Sequence, residues 1–197
     1  TIYSELLELM NGELKPKYGQ ILYNNQLYTE SIARKALDNG IAVISENATQ
    51  KMIFYNLSYV DNLYFLIDKK IDKTIMNRKI KKSIVREYEK IVGKEIYEKD
   101  LSSLELASLY NLVYYRIHLY NPNIVFCVQP FSGADMYLRK HISDLIYELK
   151  RKGITIIIIA VNISDTLSVA DRLMIIEKGS VLKEYSKEEF ESIHVIA

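Results

Sequence analysis

The amino-acid sequence predicts an α/β fold with a mostly parallel sheet, because two apolar, strand-like runs flank one amphipathic helix. Ile124 to Val128 is an unbroken apolar run rich in β-branched residues, which is typical of a strand buried on both faces. Asp135 is a good helix N-cap, and apolar residues then recur at helical spacing as far as Leu149. Ile154 to Val161 predicts a second buried strand. Strand, helix and strand in this order form the right-handed crossover unit of a parallel sheet.

Four short elements are predicted before this unit, and glycine or asparagine residues separate them. They are a helix at 1–10, a hairpin at 20–28, a helix at 31–39 and a buried strand at 41–45. The hairpin prediction rests on the turn Asn24-Asn25, since asparagine tolerates the left-handed conformation that tight turns need.

The segment from 61 to 121 has a different composition and predicts a helical subdomain. Its first part is rich in lysine, but Asp68, Asp72, Glu87 and Glu89 alternate with the lysines, which favours a solvated helix face over a nucleic-acid patch. A long amphipathic helix is then predicted from Leu101 to Tyr120, with Ser102 and Glu105 at capping-box spacing. The α/β core accordingly comprises 1–60 and 122–197, and it ends in a small antiparallel pair of strands around the turn at 178–180.

The totals describe an ordinary soluble chain of 197 residues with 49% hydrophobic residues and a formal net charge of +1. So small a charge gives no electrostatic reason to expect binding to nucleic acid. The single cysteine, Cys127, lies inside an apolar run and is expected to be a buried thiol. No stretch approaches the ~20 apolar residues of a membrane-spanning helix. No signal peptide precedes the first helix, so we expect a cytosolic setting without direct membrane insertion.

Three motifs resemble those of a known family. Leu-Ser-Ser-Leu-Glu at 101–105, Val-Gln-Pro-Phe-Ser-Gly-Ala-Asp at 128–135 and Ala-Asp-Arg-Leu-Met-Ile-Ile-Glu-Lys-Gly at 170–179 occur in the order found in ATP-binding cassette (ABC) ATPase domains. The chain is most similar to the sugar-importer (ribose/galactoside) branch, and within it to the second cassette of a tandem pair. The resemblance implies a cassette core of the P-loop NTPase type, with a small antiparallel part and a helical subdomain.

The resemblance also assigns family positions, and most of them carry unusual residues. Val128 stands where the family has its magnesium-linked aspartate, Gln129 where it has the catalytic base, and Val161 where it has the switch histidine. Glu46 takes the Q-loop position, where this branch often has glutamate. Asp135 keeps the D-loop position, although its capping role explains it without function.

The signature turn comprises Leu101, Ser102, Ser103, Leu104 and Glu105. Ser103 and Leu104 replace the family's two glycines, so we expect this turn to be closed to the phosphate of a partner cassette. The family uses ATP and Mg²⁺, but no G-x-x-x-x-G-K-[ST] phosphate loop occurs in the chain. The resemblance places Thr1 at or just after that loop, so the N-terminal strand and the loop are expected to be missing from this chain. We therefore expect no catalytic residue, nucleotide site, metal or cofactor.

Three functions remain open at this point. The first is a catalytically silent cassette that acts structurally beside an intact cassette and a sugar permease, in the cytoplasm at the inner face of the membrane. The second is an interaction or regulatory module outside transport. The third, which residues 128, 129 and 161 disfavour, is an active ATPase with its phosphate loop upstream of Thr1.

Overall fold

A computed structural model describes residues 2–67, 78–164 and 166–193. The chain divides into two compact units, one formed by Thr1–Ile41 and Val161–Ala197 and the other by Ala42–Ala160. The helices are α1 (Ile2–Met10), α2 (Glu30–Arg34), α3 (Ala48–Lys51), α4 (Tyr59–Tyr64), α5 (Arg78–Val92), α6 (Leu106–Tyr120) and α7 (Met136–Arg151). The strands are β1 (Leu22–Tyr23), β2 (Gln26–Leu27), β3 (Ile41–Ile44), β4 (Ile124–Val128), β5 (Thr155–Ile159), β6 (Arg172–Glu177) and β7 (Ser180–Ser186).

The unit Ala42–Ala160 is built on a sheet in the order β3-β4-β5. β4 and β5 pair in parallel, with Ile124 opposite Thr155 and Val128 opposite Ile159, and α7 connects them. These findings confirm the predicted strand–helix–strand unit and the mixed α/β class.

The end of α7 shows why the chain can return to the sheet at this point. Gly153 takes a φ of +85° directly after the last helical turn. Its N–H donates to the carbonyl of Lys150 at 2.9 Å, and the N–H of Ile154 donates to that of Leu149 at 3.2 Å. This pair of hydrogen bonds is a Schellman motif, and Leu149 and Ile154 are both buried beside it.

The prediction that Ile154 to Val161 forms a buried strand is wrong in its bounds and in its burial. β5 covers only Thr155–Ile159, and every one of its residues is at least partly exposed, Ile157 by 38%. The physical reason is its place in the sheet: β4 has a strand on both sides and is almost wholly buried, whereas β5 is at the edge of the described sheet.

The predicted start of the long helix is also wrong. Residues 101–103 form a separate turn of 3₁₀-helix, and Leu104 and Glu105 are extended, with ψ of 145° and 154°. α6 therefore begins at Leu106, without a side-chain hydrogen bond at its N-cap. The carboxylate of Asp100 accepts the N–H of Ser102 at 3.0 Å, so Asp100 caps the short turn and the predicted Ser102–Glu105 box does not form.

The unit formed by Thr1–Ile41 and Val161–Ala197 contains two antiparallel hairpins. β1 pairs with β2 around Asn24 and Asn25, whose φ angles of +50° and +60° confirm the predicted asparagine turn. β6 pairs with β7 around Lys178 and Gly179, so the predicted antiparallel pair is confirmed.

Part of the lysine-rich segment that was predicted to form a solvated helix face, including Asp68 and Asp72, lies outside the described residues. The division into a core at 1–60 and 122–197 and a helical subdomain at 61–121 stays a prediction. Among the described helices, none combines the length and the apolar composition that crossing a bilayer requires.

Candidate functional site

The candidate site begins where β4 ends, at Val128 and Gln129. Val128 is 2% exposed, so its aliphatic side chain is part of the core. Gln129 has a φ of +46°, in the left-handed region that non-glycine residues avoid. Its N–H donates to the carbonyl of Ile159 at 2.8 Å, and its own carbonyl accepts the N–H of Ser132 at 3.0 Å. The sheet and the following turn together therefore hold Gln129 in a conformation that costs about 1–3 kcal/mol.

These two side chains limit the chemistry at this point. A valine offers no oxygen, which is the donor that Mg²⁺ requires. A glutamine amide can donate and accept hydrogen bonds, but it cannot take up a proton at neutral pH. The residues at the end of β4 thus do not fit a magnesium ion or a general base. Within the part of the chain that the structure describes, no group of three or more histidine, cysteine or acidic residues could hold a metal ion.

Asp135, a little further along, has a structural partner. Its Oδ1 accepts the N–H of Leu138 at 2.8 Å and so caps the first turn of α7. This is the capping role predicted from the sequence, and it places Asp135 seven positions after Val128 on the same strand-to-helix connection.

The turn at 101–105 is held by the burial of Leu101 and by hydrogen bonds to Asp100. Leu101 is fully buried and anchors the turn, whereas Ser102, Ser103 and Glu105 are exposed. The N–H and the hydroxyl of Ser102 both donate hydrogen bonds to Asp100 Oδ1, and these bonds lower the pKa of the Asp100 carboxyl. Ser103 Oγ donates to the Asp100 carbonyl at 2.9 Å. The extended backbone at Leu104 and Glu105 then separates this turn from the first N–H groups of α6.

The two remaining family positions are Glu46 and Val161. Glu46 is half-buried two residues after β3, which is the neighbour of β4 in the sheet. Asn47, with a φ of +56°, follows it and starts α3. Val161 is 81% exposed and belongs to the other compact unit. The structure therefore places Val128, Gln129 and Asp135 on one connection and Glu46 after the adjacent strand.

A buried polar network around Arg116 was not predicted from the sequence. Arg116 of α6 is 3% exposed, and its guanidinium donates to three oxygens: the carbonyls of Asn62 at 2.7 Å and Met52 at 2.5 Å, and Asn62 Oδ1 at 2.9 Å. The guanidinium also lies over the ring of Phe54. Burial lowers the pKa of Arg116 to about 10.

Asn62 extends the same network into the loop between α3 and α4. It is fully buried, it accepts the N–H of Phe54 at 2.9 Å, and it donates to the carbonyls of Phe54, Leu57 and Ser58. Arg116 and Asn62 thus connect the segment 52–58 to α6 by hydrogen bonds. The sequence shows only that an arginine at position 116 falls among the apolar residues of the long helix, and it gives no indication of the partners.

Solved structures with the same architecture define the class of the fold. An ATP-binding cassette of an ABC transporter in its ADP conformation matches 96% of this chain with a TM-score of 0.76 at 19% identity, and the match covers 78% of that protein. CbiO1 of Clostridium perfringens, part of the ABC transporter complex cbiONQ, matches with a TM-score of 0.75 at 20% identity, over 96% of this chain and 74% of that one. The fold is that of an ABC ATPase cassette.

Sequence similarity indicates which ABC ATP-binding proteins this chain resembles. The ribose import ATP-binding protein of Clostridium tetani is 25% identical over 190 residues, which is 94% of this chain and 38% of that protein. The arabinose import ATP-binding protein of Burkholderia cenocepacia is 23% identical over 188 residues, or 93% of this chain and 36% of that protein. No protein-family model matches the chain. The chain is a homologue of the ATP-binding proteins of sugar-import ABC transporters, and it spans less than two fifths of their length.

Proposed function

We propose that this chain is a catalytically silent cassette of a sugar ABC importer, which acts structurally beside a competent cassette. The observation that carries the proposal is the pair Val128 and Gln129, an aliphatic side chain and an uncharged amide at the end of the central strand β4. Hydrolysis of ATP needs charge that is placed to hold the metal ion and to orient the attacking water. These two side chains supply neither a carboxylate ligand nor a base.

The expected loss in hydrolysis rate follows from what the missing charged groups usually contribute to catalysis. Removing a single positioned electrostatic partner typically costs about 3–4 kcal/mol of barrier, or 10²–10³ in rate. Val128, Gln129 and Val161 together replace three such partners. Their combined loss places turnover at this chain's own site below the background of an ordinary assay.

The turn at 101–105 supports the same proposal from a second position. Glycine at a helix N-terminus allows an anion to approach the backbone N–H groups closely. Leu104 puts a branched side chain at this point, and the exposed Glu105 adds negative charge there. Both changes oppose the binding of a partner's nucleotide phosphate against this face.

Partners and setting follow from the proposed role. An importer cassette that does not hydrolyse ATP needs an intact cassette as its partner and a sugar permease to act upon. We propose that the chain works in the cytoplasm, at the inner face of the membrane, through these subunits and not through lipid or nucleic acid. The identity of the sugar is decided by the permease and its binding protein.

Calorimetric titration with Mg-ATP tests the silent site. We expect no binding to residues 1–197 at millimolar nucleotide, while the ribose import protein of C. tetani under the same conditions serves as the positive control. A micromolar dissociation constant for this chain would overturn the proposal for its nucleotide site.

Purification of the full-length protein from its own cells tests the proposed role. Recovery together with an intact cassette and a sugar permease is the expected result. Repeated recovery with soluble regulatory proteins alone would reject the transport role.

A further inference from the structure

The exposed face of α5 carries a row of positively charged side chains. On the opposite face, Ile84, Tyr88 and Val92 recur every four residues and are buried. Residues two positions apart on an α-helix are separated by about 200°, so the positions two before these three face solvent. The side chains at these positions are all exposed, and we call them the basic stripe: Lys82, Arg86 and Lys90. The stripe extends for about 12 Å along the helix.

Acidic residues alternate with the cations along the sequence, but on the helix they lie at the sides of the basic stripe. Glu87 and Glu89 are each adjacent in sequence to a member of the stripe, and adjacent residues project about 100° apart. Glu87 interacts electrostatically with Lys152, and Glu89 forms a hydrogen bond with Tyr97. Both carboxylates therefore have other partners, and the stripe itself is wholly cationic.

Two other helices of the chain neutralise exposed cations with carboxylates one turn away. In α2, Arg34 pairs with Glu30. In α7, Lys140 pairs with Asp144. The described residues form no salt bridge to the basic stripe. Each member of the stripe is instead one turn away from a like charge, which opposes helix formation. A negatively charged partner would remove this repulsion.

We propose that the basic stripe of α5 binds an acidic helix of a partner protein, in which aspartate or glutamate recurs every three or four positions. Carboxylates at this spacing lie along one face of a helix, at the same intervals as the three cations. Each carboxylate can then form a charge-assisted hydrogen bond, and the central Arg86 can bind one through two nitrogen atoms. The inference does not depend on whether the cassette hydrolyses ATP.

The carboxylates beside the stripe favour a narrow partner over a broad polyanion. A helix is about 10 Å wide, so it can contact the stripe alone. A membrane surface or a nucleic-acid duplex presents phosphates over a greater width and brings some of them next to Glu87 and Glu89, which repel them. Tyr88 is buried beneath the stripe, so its ring does not stack on a nucleic-acid base there.

Nuclear magnetic resonance titration of the full-length protein tests the proposal, because it detects millimolar binding and locates it on the chain. The probe is an alanine-rich helical peptide with three glutamates at four-residue spacing. The control peptide has the same composition, but its three glutamates are consecutive. The spaced peptide should shift the amide signals of α5 and bind several-fold more tightly than the control, and added salt should weaken it. Equal binding of the two peptides, or no shift at millimolar peptide, would overturn the proposal.

Two triple variants of the full-length protein show whether the stripe itself is the binding surface. The first combines Lys82→Gln, Arg86→Gln and Lys90→Gln. The second removes the same charge from exposed positions on other segments, and it combines Lys17→Gln, Lys35→Gln and Lys99→Gln. The first variant should bind the spaced peptide about tenfold more weakly, as the loss of three exposed ion pairs allows, while the second binds like the parent. Equal losses in both variants would contradict the proposal.

The melting temperature of the first variant provides an independent readout. It should be no lower than that of the parent, since the substitutions remove repulsion between like charges. A melting temperature several degrees lower would show that these cations have partners within the chain, and the proposal would fail.

Two further probes distinguish the other possible occupants of the stripe. Phosphatidylserine vesicles and a single-stranded oligonucleotide should cause no change in α5 that the first variant abolishes. Stripe-dependent binding of either probe, without a preference for the spaced peptide, would overturn the proposal and identify a lipid surface or a nucleic acid as the partner.

Discussion

At the scale of residues, the helix-capping role of Asp135 can be tested independently of its D-loop position in the family. Because its carboxylate caps α7 through the N–H of Leu138, Asp135→Ala should lower the free energy of unfolding by about 1 kcal/mol. Asp135→Asn should keep most of that stability. Asp144→Ala is a suitable control, since Asp144 forms an exposed salt bridge with Lys140 on the same helix. Denaturant unfolding measures all three, and an Asp135→Ala variant as stable as the parent would contradict the capping role.

His118 makes the stability of the chain sensitive to acid. Burial and, second, the charge of Lys152 lower the pKa of His118 from 6.5 to about 4, and Nδ1 lies 2.8 Å from the Tyr88 hydroxyl. Between pH 6.5 and 4 the unfolded chain binds a proton at this site that the folded chain does not. Stability should therefore fall as the pH decreases through this window.

The variant His118→Gln isolates this contribution from that of the carboxylates. Its melting temperature should fall less than that of the parent protein between pH 7 and pH 4, although the variant can start lower. Parallel pH profiles for the two proteins would show that His118 takes up its proton equally in the folded and unfolded chain.

At the scale of elements, the start of α6 distinguishes two capping arrangements. The sequence spacing predicts that Ser102 and Glu105 cap the helix, whereas the structure shows Asp100 bonded to both donors of Ser102. Asp100→Ala should therefore lower the melting temperature by a few degrees, and Glu105→Gln should leave it nearly unchanged. Thermal unfolding followed by circular dichroism separates the two, and the reverse order of effects would restore the capping-box interpretation.

Features of the fold that depend on local sequence signals could be predicted, whereas those that depend on tertiary neighbours could not. β4 and α7 were predicted at their observed positions, since apolar periodicity and the Asp135 cap are local signals. The burial of β5 was not, because it depends on which strands lie beside it. The φ of Gln129 was also missed, since the bend depends on hydrogen bonds to Ile159 and Ser132 that are formed only in the fold.

The Arg116 network was missed for a further reason. Helical periodicity treats an arginine among apolar positions as a solvated residue with a buried stem. Here the whole side chain is buried, because Asn62 and Met52 provide three oxygen acceptors 54 to 64 positions away in the chain. Partners so distant in sequence leave no spacing pattern from which the network could be predicted.

At the scale of the whole molecule, we expect the association state of the chain to be independent of nucleotide. The resemblance to ABC cassettes implies head-to-tail pairing around nucleotide, and we propose that Leu104 and Glu105 oppose that arrangement in this chain. Sedimentation velocity should give the same distribution with and without Mg-ATP, whether the chain is monomeric or self-associates through another surface. A shift to dimer on adding nucleotide would reject the silent-cassette proposal.

Phosphate release from Mg-ATP is the measurement that bears most directly on the central claim. We expect the parent chain to release phosphate at the rate of the protein-free control. Gln129→Glu should do the same, because a restored base still lacks a carboxylate at Val128, and Gln129→Ala is its matched control. Substantial release by Gln129→Glu alone, without any partner and well above Gln129→Ala, would contradict the claim that several parts of the site are lost.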